Sequence, residues 1–289
     1  MASARVALSL DGPVAHVVLD RPEARTAFDA EMVRELHDAV GAASVRDDIR
    51  VIVLAGRGSV FCAGADVGWM RAIARFTRDE NLADARRLFE LYEAIDRSPK
   101  AVVACVQGAA LGGGAGLAAV ADVVVAEDGA RFGFTEVRLG LVPAVISPFV
   151  VRKIGVSAAR ELFLTGERFD AARAAAIGLV HRVVKLEALD AAVDTCVHDL
   201  LQAAPGAVAA AKDLVRSVHG RSPESVRELV CDRIAGRRAS DEGQEGLKAF
   251  LEKRKPGWVG WGAAGLTPRP STTARGASRS RARRGGRRG

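Results

Sequence analysis

The chain has 289 residues, 49% apolar and 27% charged, which is enough for one large core with an appendage and excludes disorder of the whole. No uncharged apolar run approaches the ~18 residues of a spanning helix, and MASARVALSL lacks the long apolar block and cleavage site of a signal peptide, so a cytoplasmic protein is expected. The formal charge of +7 is local: residues 260–289 hold eight arginines and no acid, which leaves −1 for the rest and removes the case for a nucleic-acid-binding body.

In chain order, RVALSL and AHVVLD alternate apolar residues with a period of two and read as a hairpin turning at DGP. Asp29 can cap a helix over residues 30–42, with Met32, Val33, Leu36 and Val40 on one face. The apolar run VIVLAG (51–56) is a strand that ends in FCAGAD (61–66). Residues 67–98 read as helical, with a polar break near 77–81 and a stripe of Leu82, Ala85, Leu88, Phe89, Tyr92 and Ile95. A second buried strand, AVVACV (101–106), runs into GAALGGGAG (108–116). Then follow RFGFTEVRLGLVP (131–143) and an apolar segment, 142–155, that becomes a helix. Asp170 opens and Gly178 closes a further helix, and LVHRVV reads as a short strand. From 186 the composition becomes almost wholly helical, with breaks near Pro205 and at 220–223, which marks an appended helical subdomain over 186–258 after a core of 1–185. The Arg-, Gly- and Ser-rich segment 259–289 should be a disordered tail, with only nonspecific contacts to nucleic acid.

The chemistry points to the two glycine-rich turns. Each ends a strand in residues too small to cover their own backbone N–H groups, as an oxyanion hole requires. The glycine run fits neither G-x-G-x-x-G nor a phosphate loop with its Gly-Lys-Ser/Thr, and no G-x-S-x-G is present. Cys62, Cys105, Cys196 and Cys231 lack metal-ligand spacing and read as reduced packing thiols, so no metal site is expected. His181, on a strand leaving a capped helix, reads as structural.

A-G-A-D followed by G-G-G about fifty residues on, with FGFTE downstream, resembles the crotonase family of enoyl-CoA hydratases and isomerases over residues 5–258. The resemblance implies an α/β spiral of strand-strand-helix repeats and a C-terminal helical region that builds a homotrimer or homohexamer. It implies an acyl-CoA substrate, with coenzyme A part of that substrate and no separate cofactor. By the same likeness the amides of Ala65 and Gly113 polarise the thioester carbonyl and Glu136 moves the proton. Arg25, Ala63, Ala65, Asp66, Val67, Gly68 and Gly113 would lie along the CoA, joined by Phe250 and Lys253 of the closing F-x-E-K-R segment. Trp69, Met70, Ile73 and Phe76 would wall the acyl pocket. The sequence departs from the family where Gly116 replaces the first of two glutamates, and where Thr26 replaces an asparagine. The segment PAVISP resembles a branch acting on branched unsaturated acyl-CoAs. Hydration of a 2-enoyl-CoA is the implied activity. Double-bond isomerisation, or a non-catalytic acyl-CoA-binding or RNA-associated scaffold, stands as the alternative.

Overall fold

Strands β1 (Val6–Asp11) and β2 (Val14–Leu19) form the expected hairpin, pairing Val6 with Leu19 and Asp11 with Val14. This is a computed structural model, and it describes residues 4–260. The expected tail lies outside the described residues from 261 on. Helix α1 (Ala30–Ser44) starts where Asp29 accepts a hydrogen bond from the Met32 N–H, and it buries Met32, Val33, Leu36 and Val40 as their spacing demands.

Strand β3 (Val51–Gly56) pairs parallel to β2 and is followed by α2 (Val67–Ile73) and α3 (Arg78–Arg97). Thr77 and Glu80 close a capping box at the break between those helices. Strand β4 (Ala101–Val106) lies parallel to β3; then come the three-residue β5 (Ala109–Leu111), α4 (Gly113–Val120), β6 (Val123–Glu127) and β7 (Arg131–Gly133). Helix α5 (Ser147–Thr165) is broken at Gly155, whose φ of 77° is non-helical. Strand β8 (Arg168–Asp170), helix α6 (Ala171–Ala176) and strand β9 (Arg182–Val184) complete two sheets, one ordered β1-β2-β3-β4-β6-β9 and the other β5-β7-β8.

The central strands are buried on both faces, as parallel strands must be. Along β3, Ile52 and Leu54 join the cluster beneath α1, α3 and α4, while Val51, Val53 and Ala55 face the other way. That second face is covered by helix α7 (Leu189–Gln202), through Leu189, Val193, Cys196, Val197 and Leu201. The composition shift at 186 groups α7 with the appended helices, yet its packing makes it part of the core. A two-faced sheet needs cover on both sides, and α7 supplies it here. The remaining helices α8 (Pro205–Val218), α9 (Pro223–Ala239) and α10 (Asp241–Leu251) bury only Val226 and Ala249. Arg50 ties their end to the sheet, donating to the carbonyls of Ala203 and Trp258. Among the described residues no helix is long and apolar enough to cross a membrane.

Candidate active site

The two glycine-rich turns lie side by side because short backbone pairings connect the ends of β3 and β4. Phe61 N–H donates to Gln107 O at 2.9 Å, Cys62 N–H to Ala109 O at 3.0 Å, and Leu111 N–H back to Cys62 O at 3.0 Å. Phe28 threads the first turn, donating to Gly64 O and accepting from Asp66 N–H, both at 2.7 Å, so that it pairs with Ala65. At the second turn, Gly112 holds φ 50° and ψ −119°, a conformation that requires glycine, and its N–H donates to Gly133 O at 2.8 Å. A Cβ at Gly114 would sit 2.6 Å from Cys62 O, so the close approach of the two turns also requires glycine. Ala65 is exposed and Gly113 half-buried, and neither N–H has a protein acceptor among the described residues.

Glu136 opens a single 3-10 turn, Glu136–Leu139, after β7. Its Oε1 would lie 3.4 Å from a Cβ on Gly112, which places the carboxyl over the second turn. Its Oε2 is buried with no hydrogen-bond partner. Burial pushes this carboxyl above the ordinary carboxylate range. An ion pair with Arg131 or Arg138 is the plainer role for a loop glutamate, but Arg138 instead donates to Thr165 O and no ion pair of Glu136 is found among the described residues.

The space at Gly116 is occupied. A Cβ there would meet Ile146 Cγ2 at 2.4 Å and the Tyr92 ring at 3.1 Å. Tyr92 and Cys62 are both fully buried beside the turns; burial holds the phenol well above its ordinary range and pushes the thiol up to about 12. Both are therefore held in their neutral forms, and Glu136 is the carboxyl placed over the second turn.

Other expected site residues gather at the first turn. Arg25 O accepts from Ala63 N–H at 3.2 Å, and the exposed Arg25 side chain makes no ion pair among the described residues. Arg25 and Thr26 both sit at positive φ, 53° and 52°. Thr26 is buried, and its single hydroxyl donates to both Val60 O (3.0 Å) and Phe61 O (2.7 Å). The Asp66 carboxylate is already engaged: it caps α2 by accepting from Gly68 and Trp69 N–H groups and pairs with Arg21 at 3.2 Å. Burial raises and these partners lower its pKa, which ends below the usual value. Val67 and Gly68 are exposed, and Trp69, Met70, Ile73 and Phe76 half-buried; the Trp69 indole N–H has no partner. Phe250 and Lys253 stand apart. Phe250 is 82% exposed at the end of α10, and no hydrogen bond or ion pair among the described residues joins either residue to the glycine turns. Tyr92, Phe28 and Ile146 are site residues that sequence patterns do not reveal, since each reads as ordinary core.

A cavity of about 520 Å³ opens at the opposite end of α4, lined by Asp96, Asp122, Arg152, Lys153, His181 and Lys212. It belongs to the support of the fold. Lys212 pairs with Asp122 at 2.8 Å and donates to Lys100 O, while His181 Nδ1 accepts from Val124 N–H.

The enoyl-CoA hydratase/isomerase family profile matches residues 10–261. The chain belongs to that family. The crotonase fold is equally plain in solved structures: the enoyl-CoA hydratase of Shewanella pealeana is 40% identical with a TM-score of 0.85, covering 88% of this chain and 96% of that one. Pseudomonas aeruginosa AtuE is 36% identical with a TM-score of 0.85, covering 88% and 99%. The crotonyl-CoA hydratase of Syntrophomonas wolfei is 31% identical over 261 residues, 90% of this chain and 99% of that protein. The protein is thus an enoyl-CoA hydratase/isomerase family enzyme.

Proposed function

We propose that the protein adds water to a 2-enoyl-CoA, with the N–H groups of Ala65 and Gly113 holding the thioester oxygen and Glu136 carrying the proton. The observation behind this reading is the pair of unpartnered N–H groups on adjoining turns, with an unpartnered carboxylate oxygen beside them. In the step, the water oxygen bonds the β-carbon while Glu136 takes its proton, and the electron pair of the double bond moves to the thioester oxygen as an enolate. Glu136 then returns that proton to the α-carbon. Each donor aimed at the developing oxyanion contributes about 2.7–4 kcal/mol.

Residues 63–68 and Arg25 form the CoA path in this reading, with Asp66 acting through the turn it holds rather than through a free carboxylate. Phe250 and Lys253 would reach the CoA of a neighbouring subunit. Exposed Val215, Ile234, Leu247 and Leu251 on α8, α9 and α10 support assembly into a trimer or hexamer through those helices.

Isomerisation is the second reading, and one observation favours it. Tyr92 and Ile146 fill the space at Gly116, leaving one base, and one base can move a proton between two carbons. Incubation with straight and branched enoyl-CoAs in heavy-oxygen water separates the outcomes. Label in the product supports hydration, a shifted double bond without label supports isomerisation, and binding without either identifies a scaffold.

A further inference from the structure

We propose that Tyr92 is a positioning residue for the oxyanion turn, fixing the Gly112–Gly113 backbone through its hydroxyl and its ring; this rests on the oxyanion reading above. Tyr92 comes from α3 and is fully buried. Its O–H donates to Gly113 O at 2.8 Å. Its ring lies against Gly116, one helical turn further along α4, and an added Cβ on Gly113 would meet the Tyr92 hydroxyl and the Phe28 ring at 2.9 Å each. The turn therefore has no side chains of its own to hold it. It is clamped from outside by Tyr92, Phe28 and Ile146, and by the bond from Gly112 N–H to Gly133 O.

The Gly113 N–H leaves a peptide whose orientation is set by Gly112, at φ 50° and ψ −119°, and by the position of Gly113 itself. Glycine torsions rotate readily, so an unclamped N–H would sweep over several directions. The Gly116 N–H holds the Gly112 carbonyl of that peptide at 3.1 Å, and the Tyr92 bond to Gly113 O holds the next peptide, so together they pin both peptides that meet at Gly113. Because a donor misplaced by about 1 Å can cost on the order of 10²-fold in rate, such a clamp acts on turnover more than on binding. Ile146 and the ring of the same Tyr92 take the volume a longer residue at 116 would need, so the clamp and the departure at Gly116 share one side chain.

Tyr92 is the chain's one tyrosine, which makes the test clean. In Tyr92→Phe, which keeps the ring, kcat for crotonyl-CoA should fall roughly 10-fold with KM changed by less than about twofold. The thioester carbonyl stretch of bound butyryl-CoA, read by difference infrared spectroscopy, should move back toward its position in free butyryl-CoA. Wild-type kcat and an unmoved band in Tyr92→Phe would overturn the proposal. If wild-type protein itself leaves the band at the free position while butyryl-CoA is bound, the oxyanion reading fails instead. Should Tyr92→Phe not fold, uniform replacement of tyrosine by 3-fluorotyrosine changes only this hydroxyl into a stronger donor. The band should then shift further from the free position, and an unshifted band together with unchanged kcat rejects the clamp.

Discussion

Helix α4 joins two opposite environments. At its N-terminal end the Gly113 N–H and Glu136 Oε2 lack protein partners among the described residues, and Gly112 holds a backbone conformation closed to other residues. At its C-terminal end, Ala121 O accepts from Lys153 Nζ at 2.8 Å, where a cation suits the helix dipole. Asp122 Oδ2 there accepts from both Val102 N–H and Lys212 Nζ at 2.8 Å. Buried polar groups are normally satisfied. The end that holds the fold obeys this rule, while the end proposed to receive the thioester leaves its donors and acceptor open.

The strongest way to break the comparison is Glu136→Gln, which should lower turnover by roughly 10² to 10⁴. The same change should raise Tm at neutral pH. Burial raises the folded pKa of Glu136, so the stability it contributes is complete below its ordinary value of 4.5 and lost as pH rises through the folded value. The Tm gain of Glu136→Gln should therefore be present at pH 7 and vanish near pH 4; an unchanged gap would place the carboxyl in solvent.

Gly113→Ala probes the turn itself. Its Cβ would meet Phe28 and Tyr92 at 2.9 Å. Turnover should drop about 10² to 10³, as for loss of one oxyanion donor, with a stability loss of about 1–3 kcal/mol by denaturant titration. Normal turnover would remove this amide from the mechanism.

The other end responds to pH instead. Burial lowers the Lys153 amine to about 8. Its charged form therefore costs stability below that pH, and the cost fades as pH rises toward the ordinary 10.5. Wild type should gain Tm relative to Lys153→Met between pH 8 and 10, and a constant difference would contradict the burial. The smallest effect concerns Thr26. Asparagine tolerates positive φ and carries two N–H donors for the two carbonyls that one hydroxyl now shares, so Thr26→Asn should stabilise by about 1 kcal/mol in urea unfolding.

Much of this was legible from where particular residues stand along the chain. Gly and Ala at the ends of two buried strands mark both turns, Asp29 and Asp170 mark helix starts that the fold uses, and the polar stretch near 77–81 marks a break that the fold closes with a capping box. What escaped depends on contacts between elements far apart in sequence. Tyr92 lies on an apolar stripe that continues naturally into Ile95, and nothing local distinguishes its hydroxyl's partner. The small sheet of β5, β7 and β8 has strands of three residues, too short to show a period. The placement of α7 follows from which face of the sheet lacks cover, a property of the assembled fold.

Cysteine burial sets how the molecule meets electrophiles. Cys62, packed against Gly114 with burial pushing its thiol up to about 12, is held in the unreactive thiol form, out of reach of maleimides. Cys105 and Cys196 are buried as well, whereas Cys231 on α9 is exposed. A fluorophore coupled through sulfur would therefore report from the helices expected to meet other subunits, with the glycine turns left undisturbed.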